Sequence, residues 1–171
     1  LFNACGIVAS SDGKFVYVTA YDDDAVSWYE RNATSGALSW LGVLKDGQGG
    51  VDGLDGANGL VLSEDEKFLY VGAMVDSTIA WFARDETTGG LTFQNLVRDG
   101  AGGVDGLGAV TSIAASVDGK YICATSQHDH SVIWFDRNAT TGELTNLSIF
   151  RNGDSGTTNL NLTASLQLSS D

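Results

Sequence analysis

Residues 10–20 read SSDGKFVYVTA, residues 63–73 read SEDEKFLYVGA and residues 116–126 read SVDGKYICATS. These segments are spaced 53 residues apart, and the chain matches itself at this offset without gaps from end to end. The recurring residues include Trp28, Trp81 and Trp134, Arg31, Arg84 and Arg137, and Gly36, Gly89 and Gly142. Self-similarity at a fixed period indicates a repeat architecture. Since 171 residues hold three units of 53 and twelve residues more, the sequence predicts three full repeats and the beginning of a fourth.

Each repeat is predicted to form four short strands. In the second repeat these are residues 57–63, 67–73, 77–84 and 91–97. β-branched and aromatic residues dominate these runs, and no stretch has the apolar spacing of a helix. In the third strand, Ile79 and Trp81 alternate with Ala80 and Phe82, so both faces of the sheet are apolar and need cover. Four-stranded sheets stacked around a common axis meet that need, and the sequence predicts an all-β fold, a β-propeller with one repeat per blade.

The chain is predicted to be a single β-propeller segment, residues 1–171. Its blades are expected at about residues 1–53, 54–106 and 107–159, with the first strand of a fourth blade at residues 160–171. Propellers have about 4–8 blades, so three blades leave two apolar flanks open, and we expect Trp28 and Trp134 to line them. Two kinds of partner would cover these flanks. One is a second copy of the chain, which closes a ring about a twofold axis, and the other is a set of further blades of a longer chain.

The charge of the chain excludes two classes of partner. Nine basic and 22 acidic residues give a net charge of −13. That sign is wrong for binding a phosphate backbone, so nucleic acid is not expected as a partner. No apolar run approaches the roughly 20 residues that span a bilayer, so membrane insertion is not expected either.

The S-x-D-G-K-x-x-Y-V pattern of residues 10–18 and the V-x-W-Y/F-x-R-x-x-T-x-G-x-L segment that follows resemble the repeat of the YVTN-type, lactonase-like β-propellers. That family includes 6-phosphogluconolactonase-like enzymes and surface proteins with no known reaction. The resemblance covers the whole chain and implies the propeller fold. It also implies, as one activity, a lactonase with its pocket in the central channel, but it transfers no catalytic residue. The proline that usually precedes the aspartate of the motif is replaced in every unit, by Ser11, Glu64, Val117 and Ser170.

Glycine-rich segments between the repeats carry several aspartates. Carboxylates and backbone carbonyls in a flexible loop suit Ca²⁺, which takes 6–8 oxygen ligands. The sequence establishes no cofactor; calcium is the one that it leaves open, with the candidate ligands Asp46, Asp52, Asp55, Asp99 and Asp105. The alternative is that the glycines form turns and the aspartates cap them. The third such segment has shifted its acid to Asp154, which argues against a repeated metal site.

Two asparagines of N-x-S/T sequence fall at the same predicted turn in the first and third repeats. They are Asn32 and Asn138, and glycosylation requires such a surface loop. Together with the acidic, lysine-poor composition, they predict a glycoprotein that is extracellular or at the cell surface. The alternative is that asparagine and threonine are simply favoured in turns, since the second repeat has Asp85 at this position.

The histidines and cysteines depart from the repeat. His128 and His130 could bind Zn²⁺ from one face of an extended segment, but further ligands are missing nearby, so a hairpin tip without metal is favoured. Cys5 and Cys123 are a whole blade apart, beyond the reach of a disulfide, and are expected to be two buried thiols.

The function that we predict is a non-catalytic extracellular repeat scaffold for protein–protein interaction, surface display or self-assembly. The near-uniform repeats and the lack of a recognisable catalytic motif favour this interpretation. One alternative is a lactonase-like hydrolase that acts on a sugar lactone, so the question of catalysis stays open. Another is a carbohydrate-binding propeller in which Trp28, Trp81 and Trp134 stack on sugars, although these residues also suit a core.

Overall fold

The computed structural model of the protein describes residues 1–154 and 165–169. The described part contains three four-stranded antiparallel sheets, and in each sheet the strands are adjacent in chain order. The first sheet contains β1 (Ala4–Ala9), β2 (Phe15–Ala20), β3 (Ala25–Arg31) and β4 (Leu38–Lys45). The second contains β5 (Ala57–Leu62), β6 (Phe68–Ala73), β7 (Thr78–Arg84) and β8 (Leu91–Arg98). The third contains β9 (Val110–Ala115), β10 (Tyr121–Ser126), β11 (Ser131–Arg137) and β12 (Leu144–Arg151).

The predicted all-β propeller fold is confirmed, and the four strands predicted in the second repeat agree with β5–β8 to within one residue at each end. The predicted fourth blade, residues 160–171, lies mostly outside the described residues. Within it, the backbone N–H of Leu166 donates to Ser112 Oγ at 3.1 Å, so Leu166 lies beside β9. The described residues include no helix that is long and apolar enough to cross a membrane.

The S-x-D motif forms the turn between the first two strands of each sheet. Ser10 Oγ donates to Asp12 Oδ1 at 2.6 Å, and the backbone N–H of Phe15 donates to Ser10 Oγ at 3.0 Å. The serine–aspartate bond recurs at 2.7 Å from Ser63 to Asp65 and from Ser116 to Asp118. The serine hydroxyl is the main cause that lowers the pKa of Asp12 to about 2. The motif that decides the fold is therefore a turn-forming unit.

The sheets pack face to face. Tyr17 and Val26 of the first sheet share a core with Leu69 and Phe82 of the second. The opposite face of the second sheet, which carries Tyr70, packs on the third in the same way. Strands β1, β5 and β9 lie next to one another across the sheet boundaries, as expected for the inner strands of a propeller.

One prediction about the open flanks is wrong. Trp28 packs into the core between the first and second sheets, where its ring lies against Gly42. The reason is that the Trp28 side chain lies on the face of the first sheet that packs against the second sheet. Trp134 holds the same position in the third sheet and lines a cavity of about 610 Å³ on that sheet's outer side. The open side of the first sheet exposes other residues, Ile7, Leu38, Trp40 and Val43.

Candidate functional site

One end of the molecule carries the first link, residues 46–56, and the second link, residues 99–109. These segments connect one sheet to the next, and we call this side the link end. The β2–β3, β6–β7 and β10–β11 turns lie against it, since the backbone N–H of Met74 donates to Gly56 O and that of Gln127 donates to Ala109 O. In an enzyme of this architecture, loops held by a rigid scaffold are the usual carriers of binding and catalytic groups.

An aspartate in each of these three turns caps the start of an inner strand. Asp23 Oδ2 accepts the backbone N–H of Phe2 at 2.8 Å, and Asp76 Oδ2 accepts that of Asp55 at 3.1 Å. In the third sheet, Asp129 Oδ2 accepts the N–H of Gly108 at 2.6 Å. Because the same bond recurs three times, it belongs to the scaffold.

The link aspartates also repeat their roles. Asp46 Oδ1 accepts the N–H of Leu54 at 2.9 Å, and Asp99 Oδ1 accepts those of Gly106 and Leu107 at 2.8 and 2.9 Å. Two further link carboxylates form ion pairs at equivalent positions: Asp52 with Arg98 at 2.9 Å and Asp105 with Arg151 at 2.7 Å. These contacts agree with the alternative in which aspartates cap the glycine-rich turns.

Carboxylates from the first link and the β6–β7 turn lie close together. One oxygen each of Asp46, Asp52 and Asp76 lies within 4.8 Å of the other two. The Arg98 guanidinium stands 2.9 Å from Asp52 and 3.5 Å from Asp76, so it already supplies positive charge there. Asp99 and Asp105 belong to the second link and do not join this group. The calcium site stays a prediction.

Asp55 has no counterpart in the other repeats. The equivalent positions hold Phe2, Gly108 and Asn161. Burial is the largest cause that raises the pKa of the Asp55 carboxyl, and the negative charges of Asp24 and Asp76 come next. A carboxyl group with a raised pKa exchanges its proton closer to neutral pH, which suits it to act as a general acid or base.

Asp24 is the second carboxylate that occurs only where the β2–β3 turn meets the first link, at the boundary between the first and second sheets. Its Oδ1 accepts the N–H of Gly56 at 3.0 Å, whereas at the next junction Ser77 Oγ accepts the N–H of Ala109 at 3.2 Å. At the boundary between the second and third sheets, a neutral hydroxyl therefore makes the same structural bond. Among the described residues, the carboxylate charge of Asp24 beside Asp55 occurs only at the boundary between the first and second sheets. Sequence reasoning missed Asp24 and Asp76 because they come next to Asp55 only through the packing of two hairpins. The departure of Asp24 and Asp55 from the repeat was the available signal.

The comparisons with known proteins agree with this architecture. A family model described as "Lactonase, 7-bladed beta-propeller" matches residues 7–158. The chain belongs to this lactonase family. No curated protein matches the chain.

Several solved structures are similar to the chain in fold. A putative 6-phosphogluconolactonase from Bacteroides fragilis is 25% identical with a TM-score of 0.67, over 81% of this chain and 36% of that one. The periplasmic gluconolactonase PpgL from Pseudomonas aeruginosa is 24% identical with a TM-score of 0.71, over 83% and 38%. A protein from Lactobacillus plantarum is 19% identical with a TM-score of 0.74, over 96% and 44%. The chain spans less than half the length of these structures.

The histidines of this lactonase-family chain lie at the tip of the β10–β11 turn. His128 is exposed, and His130 has a left-handed backbone with φ of 49°. Asp129, between them, is occupied in capping Gly108. Among the described residues, the one group of three potential metal ligands contains no histidine. This placement agrees with a hairpin tip, and the absence of a metal there stays a prediction.

Both cysteines are free thiols, as predicted, but only one of them is buried. Cys123 lies inside the third sheet, where burial raises the pKa of its thiol. Cys5 is exposed, so the expectation of two buried thiols is wrong for this residue. The reason is that β1 is the inner strand of the first sheet, whose outer side no described blade covers.

The lactonase-family repeat places Asn32 and Asn138 at exposed turns, as predicted. Asn32 Oδ1 accepts the N–H groups of Thr34 and Ser35 at 3.0 and 2.9 Å. Asp85 Oδ1 accepts two N–H groups in the same way in the second repeat. The side chains therefore have a structural role in the turn, and the glycans stay a prediction.

Proposed function

We propose that the chain supplies blades of a lactonase-like hydrolase, which opens a neutral or phosphorylated sugar lactone by attack of water. The observation that carries the proposal is the match of the lactonase family over residues 7–158. The similar structures include a putative 6-phosphogluconolactonase and a periplasmic gluconolactonase, which support the same class of reaction. These findings favour a lactonase over the non-catalytic scaffold that the uniform repeats predict.

Sugar binding through the tryptophans has less support. Trp81 is buried in the core between the second and third sheets, and Trp28 packs against the core between the first and second. A stacking platform for sugars needs an accessible ring face. Trp28 and Trp81 therefore do not support the carbohydrate-binding alternative.

Asp55 is the residue that we assign to the chemistry. As the general base, its carboxylate takes a proton from water while the water oxygen bonds to the lactone carbonyl carbon. The tetrahedral intermediate then collapses, the ring C–O bond breaks, and the proton on Asp55 passes to the leaving ring oxygen. The product is a hydroxy acid. Burial and the negative charges of Asp24 and Asp76 raise the pKa of Asp55 and thereby make it a stronger base.

The test is hydrolysis of glucono-1,5-lactone, followed with a pH indicator and corrected for the uncatalysed rate. We expect Asp55→Asn to lower kcat by about 10²–10⁴-fold, the usual contribution of one general base. Asp105→Asn is the matched control, since it removes a link carboxylate that is paired with Arg151. Full activity of Asp55→Asn would exclude this role for Asp55. Failure of the full-length protein that contains these blades to hydrolyse any sugar lactone would overturn the proposed function itself.

Two other predictions continue as proposals beside the activity. We also propose that the protein is extracellular or at the cell surface and carries glycans on Asn32 and Asn138, which both lie in exposed turns. The mass of protein from the native host, before and after glycosidase treatment, tests this. We also propose calcium at Asp46, Asp52 and Asp76 as an alternative use of these carboxylates, because a bound cation would cancel the negative charge of Asp76 that contributes to the raised pKa of Asp55. An unchanged melting temperature in millimolar Ca²⁺ would exclude it.

A further inference from the structure

A groove of about 470 Å³ lies between the second and third sheets, beside the second link. Strand β8 forms one side, β11 and β12 form the other, and link residues 101–104 border it. Its apolar walls consist of Leu96, Val97, Val104, Phe135, Leu144 and Leu147. Sites for small molecules have volumes of roughly 300–1,000 Å³, so the groove is large enough to hold one. It is separate from Asp55, which lies on the first link.

The boundary between the first and second sheets shows what can fill the equivalent space. There the ring of Phe93 packs on that of Phe82, with their centres 5.6 Å apart. In the third sheet Phe135 holds the position of Phe82, but Asn146 holds that of Phe93. The two sheets pair these strands in the same register, through Trp81 with Asn95 and Ala83 with Thr92 in the second sheet, and through Trp134 with Ser148 and Asp136 with Thr145 in the third. The third sheet therefore lacks an aromatic ring at a place where the second sheet has one.

A second exchange removes further apolar volume from this boundary. Val97 packs on the core between the second and third sheets, whereas the larger Leu44 holds its position between the first and second. Leu147, at the position of the exposed Gln94, packs on the same core and fills part of the space. The opening still reaches the link, since Val104 is partly exposed and its counterpart Val51 is 5% exposed.

Arg98 is the charged residue in the wall of the groove. Its Nη2 lies 2.9 Å from Asp52 and 3.5 Å from Asp76, so its charge is already balanced. Its Nε is buried and has no hydrogen-bond partner among the described residues. Buried donors are seldom left unpaired, and a ligand oxygen is the acceptor that this one lacks. The wall therefore suits a neutral ligand with an acceptor oxygen better than an anion.

We propose that the groove binds a neutral small molecule with one aromatic ring and a hydroxyl or carbonyl oxygen, the class to which phenols belong. The ring packs on Phe135 as Phe93 packs on Phe82, and the oxygen accepts from Arg98 Nε. Tilted contacts between aromatic rings are favourable beyond the area that they bury. A free molecule is favoured over a side chain of a partner protein, because the groove is recessed between two sheets and has the volume of a small-ligand site. The proposal does not depend on hydrolysis at Asp55.

The test is binding of p-cresol to the full-length protein that contains these blades, measured by equilibrium dialysis. We expect a Kd on the order of 0.1–1 mM. Asn146→Phe restores the ring that the second sheet has, so it should abolish binding and raise the melting temperature. Asn146→Ala is the matched control, because it removes the same amide without adding a ring and should bind p-cresol about as well as the wild type does.

Two further ligands test the class of molecule. p-Xylene has the same ring without the hydroxyl, and p-cresol should bind at least as tightly, since a hydroxyl buried without a partner weakens binding by roughly tenfold. N-acetyl-tyrosinamide carries the ring of p-cresol on a peptide unit and should bind more weakly. Intermolecular nuclear Overhauser effects from p-cresol to the methyl groups of Val104 and Leu144 locate the ligand without any substitution.

Three results would overturn the proposal. The first is equal binding of p-cresol by the wild type and a folded Asn146→Phe, or Overhauser effects only to methyl groups outside the groove. The second is p-xylene binding more than about tenfold tighter than p-cresol, which would mean that the oxygen finds no donor. The third is tighter binding of N-acetyl-tyrosinamide, which would make a partner's side chain the occupant.

Discussion

Asp55 is the described residue at which folding and the proposed chemistry conflict most clearly. Its pKa is raised by burial and by neighbouring carboxylates, so its ionised form is disfavoured in the folded protein. A carboxyl whose folded-state pKa lies above its unfolded value stabilises the fold at low pH and loses this contribution as the pH rises through the folded-state pKa. A catalytic base that is destabilising at working pH is a common cost of function.

We therefore expect Asp55→Asn to raise the melting temperature at pH 7 and to have little effect at about pH 3, where both proteins are neutral at this position. Asp85→Asn is the control with the opposite sign. Backbone N–H groups of Thr88 and Thr87 lower the pKa of Asp85, so its contribution to stability is present at neutral pH and is lost on acidification. Melting curves of both variants between pH 3 and 8 check the two signs. A lower melting temperature for Asp55→Asn at pH 7 would contradict this assignment.

At the scale of the element, the turn between the third and fourth strands allows two energetic effects to be compared: the strain of a left-handed backbone and the packing of one sheet on the next. Gly89 and Gly36 have left-handed backbones with φ of 69° and 73°. A Cβ at residue 89 would overlap the Phe15 ring of the preceding sheet, whereas a Cβ at residue 36 would have no described neighbour within 4 Å. The same substitution at the two positions thus differs mainly in the contact with the neighbouring sheet.

We expect Gly36→Ala to lower the free energy of unfolding by about 1 kcal/mol, from backbone strain alone. Gly89→Ala should cost about 2–4 kcal/mol, because overpacking adds roughly 1–3 kcal/mol. Urea unfolding of the two variants measures both values. Equal losses would mean that the Phe15 ring moves aside at no cost and that the contact between the sheets is loose.

The same elements show how far sequence reasoning reaches. Strand positions follow from the alternation of apolar residues and from the repeat, and both survive in the fold. The repeat does not say which face of a strand meets the next sheet, so the sequence alone does not show that Trp28 faces the second sheet. Nor does it reveal that the β2–β3 and β6–β7 turns bring Asp24 and Asp76 to Asp55, since that depends on how hairpins from two sheets pack.

For the whole molecule, the distribution of charge bears on the choice of substrate. The net charge is −13, and the link end carries much of the acid. Its described cations are already paired: Lys45 with Asp23 at 3.1 Å, Arg98 with Asp52 and Arg151 with Asp105. A phosphate group approaching Asp55 would therefore meet a negative potential and, among the described residues, no unpaired lysine or arginine.

A neutral sugar lactone should accordingly be a better substrate than its 6-phosphorylated form. We expect at least a tenfold higher kcat/KM for glucono-1,5-lactone at low salt, with the gap narrowing as salt is added, because the Debye length falls to about 8 Å at 0.15 M. Asp22→Asn, at an exposed link-end position, should reduce the difference in kcat/KM between the two lactones. Glu86→Gln makes the same charge change at the opposite end and should leave that difference unchanged. Faster turnover of the phosphorylated lactone at every salt concentration would show that its phosphate is bound by cations outside the described residues, and that these three blades do not set the specificity.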